Sequence, residues 1–242
     1  MTASAVSLAL LVTACGSDKP ADKKDEPKAA GSAAAAPAAK GKTDAELAPV
    51  LIVQADLPDH VFKGATPQEA GAGATATTDK AECKPLVQAQ SFSAIGTATG
   101  TARTKVAAKP KEPAADASPE DKLKAALGTT ATAVTLASYD GKGAQEAFAA
   151  VKAAGTACAG GYTATQGAES GKISKVAAGE AVTAGDEALA YTIDTDADGE
   201  KITTQLVVVR KGNTLATFSS LSLSGTAEQP KAAVAAQTKK LG

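Results

Sequence analysis

The second half of the chain is a succession of short β segments separated by turn sequences, and this feature constrains the fold most strongly. Alternating apolar residues after Gly160 predict five strands, over 162–166, 172–178, 187–194, 200–211 and 214–223. Tight turns such as Lys211-Gly-Asn213 join neighbouring segments. Strands joined by tight turns pair in antiparallel fashion, so the sequence predicts an antiparallel sheet.

Helical patterns precede and interrupt these strands. Ser118 followed by Pro119 is typical of a helix start, and apolar residues at helical spacing predict a longer helix over 142–157. Pro230 begins a last predicted helix, over 230–240. We expect the helix that carries Phe148 and the C-terminal helix to cover one face of the sheet. The predicted fold class is α+β, an antiparallel sheet with helices packed on one face as a two-layer sandwich.

Two details of the predicted elements depend on local residues. Ala216 and Phe218 have a different parity from Leu221, so a bulge near Ser219 and Ser220 would restore one apolar face. Further strands are predicted over 60–63 and 94–106, and the glycines over 71–73 predict a loop. A helix follows the second cysteine, starting near Lys84 with Pro85 in its first turn.

The N-terminus predicts export. An apolar run ends at Val12-Thr-Ala-Cys15, which resembles the lipobox of bacterial lipoprotein signal peptides, whose cysteine becomes the lipid-bearing N-terminus. Residues 1–15 are therefore predicted to be a lipoprotein signal peptide, with Cys15 as the lipid attachment site. The basic residues that usually precede such a run are absent, so we expect them upstream of Met1. The alternative is a cytosolic N-terminus in which Cys15 follows small residues by chance.

Residues 16–43 form a low-complexity segment of Ala, Lys, Asp, Pro, Gly and Ser. Such a segment buries too little apolar surface to offset its ordering entropy, so it is predicted to be a disordered tether. The sequence thus predicts a folded domain over 44–242, held by the lipid on Cys15 at the outer face of the cytoplasmic membrane.

Composition excludes several classes of partner. The formal net charge is -1, which gives no electrostatic footprint for nucleic acid. Aromatic residues make up 3% of the chain and tryptophan is absent, which disfavours stacking of bases. No cofactor-binding motif is identified.

Two cysteines remain after Cys15. Cysteine pairs in exported domains usually form disulfides, so Cys83 and Cys158 are predicted to be bonded. The alternative is two separate buried thiols. Two cysteines and one histidine lack a ligand set with zinc-like spacing, so no metal site is predicted.

One acidic motif has two interpretations. Asp194, Asp196 and Asp198 have the spacing of the first acids of a calcium loop, but Gln205 stands where that loop needs a bidentate glutamate. Asp-Gly between two β segments predicts a plain hairpin, which we favour over a weak calcium contact.

His60 is the only histidine of the chain. A hydrolase would need it together with a serine and with Asp59 or Asp140. A surface histidine at a strand end is the simpler interpretation, and no catalytic residue is assigned.

Several features together resemble an actinobacterial lipoprotein family. They are the lipobox, the Ala/Pro/Lys tether, a cysteine before Lys84-Pro-Leu86 and a second cysteine ending an alanine-rich helix. The domain is similar to the extracellular sensor-like domains of some mycobacterial membrane Ser/Thr kinases, and residues 53–58 resemble their entry segment. The resemblance implies an α+β sandwich with a disulfide and a ligand cleft.

These observations lead to three hypotheses. The first is a non-enzymatic surface lipoprotein whose domain senses a small ligand or contacts an envelope protein. The second is a carrier of envelope lipid or glycolipid, which would need a large apolar cavity between sheet and helices. The third is a hydrolase that uses His60.

Overall fold

The computed structural model describes residues 39–109, 116–197, 199–222 and 226–242. The predicted signal peptide, Cys15 and most of the predicted tether lie outside the described residues, as does Asp198. Two described residues near the end of the predicted tether are bound to the domain. The Gly41 N–H donates to the Asp140 carboxylate (2.7 Å) and the Asn213 side chain donates to the Lys40 carbonyl (2.6 Å).

Nine strands form one antiparallel sheet, in the order β1-β3-β4-β9-β8-β7-β6-β5-β2. The strands are β1 (His60–Gly64), β2 (Thr77–Thr78), β3 (Gly100–Ala108), β4 (Ala131–Ser138), β5 (Tyr162–Gln166), β6 (Glu169–Ala178), β7 (Glu187–Ala197), β8 (Glu200–Lys211) and β9 (Thr214–Leu221). Strands β5 to β9 lie side by side in chain order. Tight turns join β5 to β6, β7 to β8 and β8 to β9, whereas the eight residues 179–186 join β6 to β7. The predicted α+β class and antiparallel sheet are confirmed.

In the described residues, helices fill the four predicted segments, each beginning within one residue of its predicted start, and two further segments. Within the described ranges they are α1 (Asp44–Leu47), α2 (Pro67–Ala74), α3 (Lys84–Gln90), α4 (Pro119–Leu127), α5 (Gly143–Ala157) and α6 (Lys231–Leu241), with 3-10 turns at Ala48–Val50, Gln54–Asp56 and Ala81–Cys83. The start of α3 at Lys84 leaves Pro85 in the first turn, where its missing N–H costs no hydrogen bond. Before α4, the Ser118 hydroxyl accepts from the Asp121 N–H (3.1 Å). No helix in the described part of the chain is long and apolar enough to cross a bilayer.

Helices cover both faces of the sheet. On β8, Leu206 and Val208 pack in the layer formed with α3 and α5. The alternate residues Val207 and Val209 pack in the layer formed with α1 and α6. All four side chains are fully buried, because consecutive strand residues point to opposite faces and each face has its own cover. The expectation that α5, which carries Phe148, and the C-terminal helix share one face is thereby corrected, and the fold has three layers.

Strand β9 runs without the predicted bulge. It pairs in continuous register with β4 and with β8. Ala216 and Phe218 are buried on the α6 side, whereas Leu215 is buried on the α5 side. Because both faces carry a hydrophobic layer, Leu215 is buried despite its different parity, whereas Leu221 at the end of β9 is exposed. A bulge through Ser219 and Ser220 is therefore not needed.

Helix α2 occupies a segment that its glycines predicted to be a loop. Thr66 and Glu69 form a reciprocal cap: the Thr66 N–H donates to the Glu69 carboxylate (2.9 Å) and the Glu69 N–H donates to the Thr66 hydroxyl (3.2 Å). Gly73 is required by close approach, since a Cβ there would overlap the Ser91 carbonyl oxygen. This cap outweighs the poor helix propensity of glycine.

Candidate functional site

A disulfide between Cys83 and Cys158 marks one end of the candidate site. Cys83 ends the 3-10 turn immediately before α3, and Cys158 follows α5. Both residues are fully buried in the core layer beneath these helices. The bond therefore ties the start of α3 to the end of α5, as the cysteine pair predicted.

An open groove of about 590 Å³ separates α3 from α5, and we call it the α3–α5 groove. Its walls are Ala81, Lys84, Pro85 and Gln88 on one side, Gly143, Glu146, Ala147 and Ala150 on the other, with Ile95, Gly96, Thr97 and Tyr139 between them. Ligand sites in proteins usually have volumes of about 300–1,000 Å³, so the groove has room for a small molecule.

The loop between α3 and β3 forms the wall between the helices. The Tyr139 hydroxyl donates to the Ile95 carbonyl (2.9 Å), and the Gln88 side-chain oxygen accepts from the Gly96 N–H (3.1 Å). Gly96 has a φ of +69°, a conformation that glycine adopts without strain. These side-chain bonds replace strand pairing, which is why β3 begins at Gly100 and not near residue 94 as predicted.

Phe92 holds the same loop in a strained conformation. It has a φ of +59°, rare for a bulky residue, and its ring is buried. The Arg103 Nε–H donates to the Phe92 carbonyl (2.7 Å) from the neighbouring strand. Burial lowers the pKa of the Arg103 guanidinium, an effect opposed by Asp44. Strained residues persist only where their surroundings fix them and are concentrated at ligand sites.

Two opposite charges face the groove from its two walls. Lys84 is the first residue of α3 and Glu146 lies in the first turn of α5. Both are exposed, and within the described ranges neither has an ion-pair partner within 4 Å. Between them, burial raises the pKa of Tyr139 well above its ordinary value, so its hydroxyl stays a hydrogen-bond donor.

His60 and Asp140 lie at opposite ends of the sheet. His60 pairs with Ala108 at the end of β3, whereas Asp140 follows Ser138, which pairs with Gly100 at the start of β3. At about 3.3 Å per residue, these positions are roughly 26 Å apart. The structure therefore does not bring this candidate pair together.

Asp59 does not orient the His60 ring through Nδ1 either. That nitrogen is buried and has no hydrogen-bond partner among the described residues. A catalytic histidine needs such a partner on its second ring nitrogen to fix the tautomer. His60 instead lies at the start of an edge strand, as predicted, but it is half-buried and not a fully exposed surface residue.

The acidic motif forms a hairpin. Ala197 pairs with Glu200, so β7 and β8 are joined as a hairpin, and Gly199 has a φ of +88°. The Asp196 carboxylate accepts from the Gly199 N–H (3.0 Å) and stabilises the turn. The predicted hairpin is confirmed, with Asp198 outside the described residues.

The Asp194 carboxylate interacts with neighbouring residues of the sheet. Its carboxylate pairs with the Lys201 ammonium (2.8 Å) and accepts from the Thr203 hydroxyl (3.0 Å). Burial would raise the pKa of Asp194, but these two bonds lower it below its ordinary value. In the part of the chain that the structure describes, no group of three or more His, Cys, Asp or Glu is arranged to hold a metal ion.

Comparisons with known proteins give weak similarity to solved structures. No family model matches the chain, and no curated protein matches it. Among solved structures, the chain is similar to the crystal structure of the extracellular domain of PknH from Mycobacterium tuberculosis. The two are 12% identical with a TM-score of 0.49, over 84% of this chain and 97% of that chain.

Proposed function

We propose that this chain is a non-enzymatic, extracytoplasmic lipoprotein whose domain binds a small ligand in the α3–α5 groove and thereby senses it. The observation that carries the proposal is the fixed, open form of the groove. The Cys83–Cys158 disulfide holds one end, and the hydrogen-bonded loop around Ile95 forms a rigid wall. A groove that is ordered before binding loses little conformational entropy when a ligand enters.

The proposed location rests on the N-terminal sequence and on the disulfide. The segment 16–43 would link the lipid on Cys15 to the domain, and Lys40 and Gly41 near its end are bound beside Tyr139 at one end of the sheet. Disulfides persist in oxidising compartments outside the cytoplasm. Both features support a domain at the outer face of the cytoplasmic membrane.

The lining of the groove favours a small polar ligand over a lipid. Alanine, glycine and polar side chains make up most of the lining, and the groove is open to solvent. The space between the sheet and α5 is filled by buried side chains such as Phe148, Val151 and Leu206. An acyl chain needs a deeper apolar cavity, so the carrier of envelope lipid or glycolipid is the weaker alternative.

The polar groups of the groove also support a binding role over a catalytic one. The Tyr139 hydroxyl is already bonded to the Ile95 carbonyl, and His60 lies on a strand outside the groove. A hydrolytic nucleophile needs an adjacent base within hydrogen-bond reach. Lys84 and Glu146 are suited to recognising charges on a ligand.

Native mass spectrometry tests the proposal. The full chain, purified from membranes of its source cells, is expected to retain a bound small molecule. Ala150→Trp fills the groove from its half-buried rim and should abolish retention, whereas Ala149→Trp, on the exposed side of the same helix, should not. Retention of the same molecule by the Ala150→Trp variant would contradict the proposed site.

The anchor is tested separately. Cys15→Ser removes the atom to which the lipid would be attached. We expect the variant to move from the membrane to the soluble fraction, and its persistence in washed membranes would overturn the lipoprotein assignment.

A further inference from the structure

The chemistry of the α3–α5 groove limits the class of ligand that fits it. Lys84 and Glu146 line opposite walls, and neither is neutralised by another described side chain. A singly charged ligand would be attracted by one wall and repelled by the other. A neutral polar ligand could hydrogen-bond to either side chain but would form an ion pair with neither. A ligand that carries a cation and an anion at its two ends interacts favourably with both walls.

The residues that line the groove between Lys84 and Glu146 further limit the class of ligand that fits. Ala81, Ala147 and Ala150 present methyl groups, and Pro85 and Ile95 add apolar surface. These side chains leave space for small apolar groups on a ligand.

Two polar side chains lie among these apolar ones. The Gln88 amide carries N–H groups and Thr97 carries a hydroxyl, both able to donate hydrogen bonds to carbonyl oxygens. Alternating small apolar groups and carbonyl oxygens between two charged ends are the features of a short peptide.

We infer that the groove binds a short zwitterionic peptide with small side chains, its carboxylate toward Lys84 and its amino group toward Glu146. The inference rests on the proposed function, because it concerns the same groove. Each charge lies at an exposed rim, so each contact should change the dissociation constant by about 3-fold to 5-fold. The two contacts together give selectivity for a peptide whose two ends are free.

The experiment uses the full chain carrying Cys15→Ser, with the Cys83–Cys158 disulfide intact. The probes are Ala-Ala-Ala with free termini and the same peptide with an acetylated N-terminus and an amidated C-terminus. Binding is followed by the NMR shifts of the Gly96 and Gly143 amides, which lie in the groove and resonate in a distinct region. We expect the free peptide to shift both amides and the capped peptide to bind about 10-fold more weakly.

Matched variants assign the effect to the two walls. Lys84→Gln and Glu146→Gln should each weaken binding of the free peptide about 3-fold to 5-fold. Lys152→Gln and Glu82→Gln alter exposed charges on α5 and before α3 that do not line the groove, so they should leave binding unchanged. Equal binding of the free and capped peptides, or no shift of either glycine with both peptides, would overturn the inference.

The outcome also separates this inference from the proposed function. If Ala-Ala-Ala fails to bind but Ala150→Trp still abolishes retention of a native ligand, the peptide assignment is wrong and the binding site stands. If Ala150→Trp retains that ligand, the site itself is wrong.

Discussion

The two faces of the sheet are covered in different ways. On the groove face, covered by α3 and α5, a covalent bond between Cys83 and Cys158 holds the helices at one end. On the closed face, covered by α1 and α6, the fully buried Gln237 of α6 joins the helix to the entering chain. Its side-chain oxygen accepts from the Ile52 N–H (3.0 Å) and its nitrogen donates to the Val50 carbonyl (2.8 Å).

The contrast shows how stability and an open site can coexist on one sheet. Hydrogen bonds through a buried amide hold only where the partners are packed closely and water is excluded. The closed face meets this condition around Gln237. A disulfide holds its two ends regardless of neighbouring solvent, so the rest of the α3–α5 groove can stay open. Damage to the closed face should therefore affect stability alone, and damage to the α3–α5 groove should affect stability and binding.

Removal of the disulfide should have the largest effect. In the double variant Cys83→Ala and Cys158→Ala, the 75-residue loop is no longer closed in the unfolded chain. The chain-entropy relation gives a loss of about 4 kcal/mol in the free energy of unfolding, measured by urea denaturation. Amides that exchange by local opening should also exchange faster in α3 and α5 than in α6, because these two helices lose their cross-link. Equal acceleration on both faces would contradict the local role of the bond.

Gln237→Leu should have the next largest effect, and only on stability. The variant leaves the Ile52 N–H and the Val50 carbonyl without their partners, at a cost of about 2–3 kcal/mol in the free energy of unfolding. Gln145→Leu, at an exposed position of α5, is the matched control and should cost little. Ligand retention should be unchanged in both, and its loss in Gln237→Leu would show that the faces are coupled.

The sequence predicts the sheet better than the layers. Turn residues and alternation indicate the antiparallel order of β5 to β9, since those signals are local. One sequence feature indicated that helices cover both faces of the sheet. The four residues from Leu206 to Val209 are all apolar, whereas a strand with one solvent-exposed face would alternate apolar and polar residues. Helix α2 could also have been predicted from the capping residues Thr66 and Glu69. The glycines that follow favoured a loop instead.

The groove could not be predicted from the sequence. Periodicity shows which face of a helix is buried, but not which other helix lies beside it. Lys84 and Glu146 are distant in the chain and line one groove only because α3 and α5 pack on the same sheet face. The loop before β3 was predicted as strand, because the bonds from Tyr139 and Gln88 that fix it come from other elements.

Tyr139→Phe should distinguish the effect of the groove wall on ligand retention from the effect of core packing on stability. The variant keeps the ring and removes the hydroxyl that donates to the Ile95 carbonyl, so we expect a loss of about 1 kcal/mol in the free energy of unfolding and weaker ligand retention. Tyr162→Phe is the control: its hydroxyl accepts from Gln90 (2.6 Å) on the same face but outside the groove. A similar loss of stability with unchanged retention is expected there. Equal retention in both variants would contradict the role of the loop.

The smallest effect should appear on acidification, and it compares one carboxylate from each face. On the groove face, hydrogen bonds from Lys105 and Thr66 lower the pKa of Glu69 from 4.5 to about 2. On the closed face, a hydrogen bond from Lys240 and one from the Val53 N–H lower the pKa of Asp56.

A carboxylate with a lowered pKa stabilises the folded state above its unfolded pKa, and that contribution is lost as pH falls through the folded value. The unfolding temperature of the wild type should therefore approach that of Glu69→Gln as pH falls from 4.5 towards about 2. Asp56→Asn should behave in the same direction. Amide protection factors, which correct for the intrinsic exchange rate at each pH, should then fall near α2 in the wild type at low pH as they do in Glu69→Gln at neutral pH, and near the start of β1 as in Asp56→Asn. If Glu69→Gln and the wild type differ equally at every pH, the Glu69–Lys105 contact does not anchor α2 to the groove face.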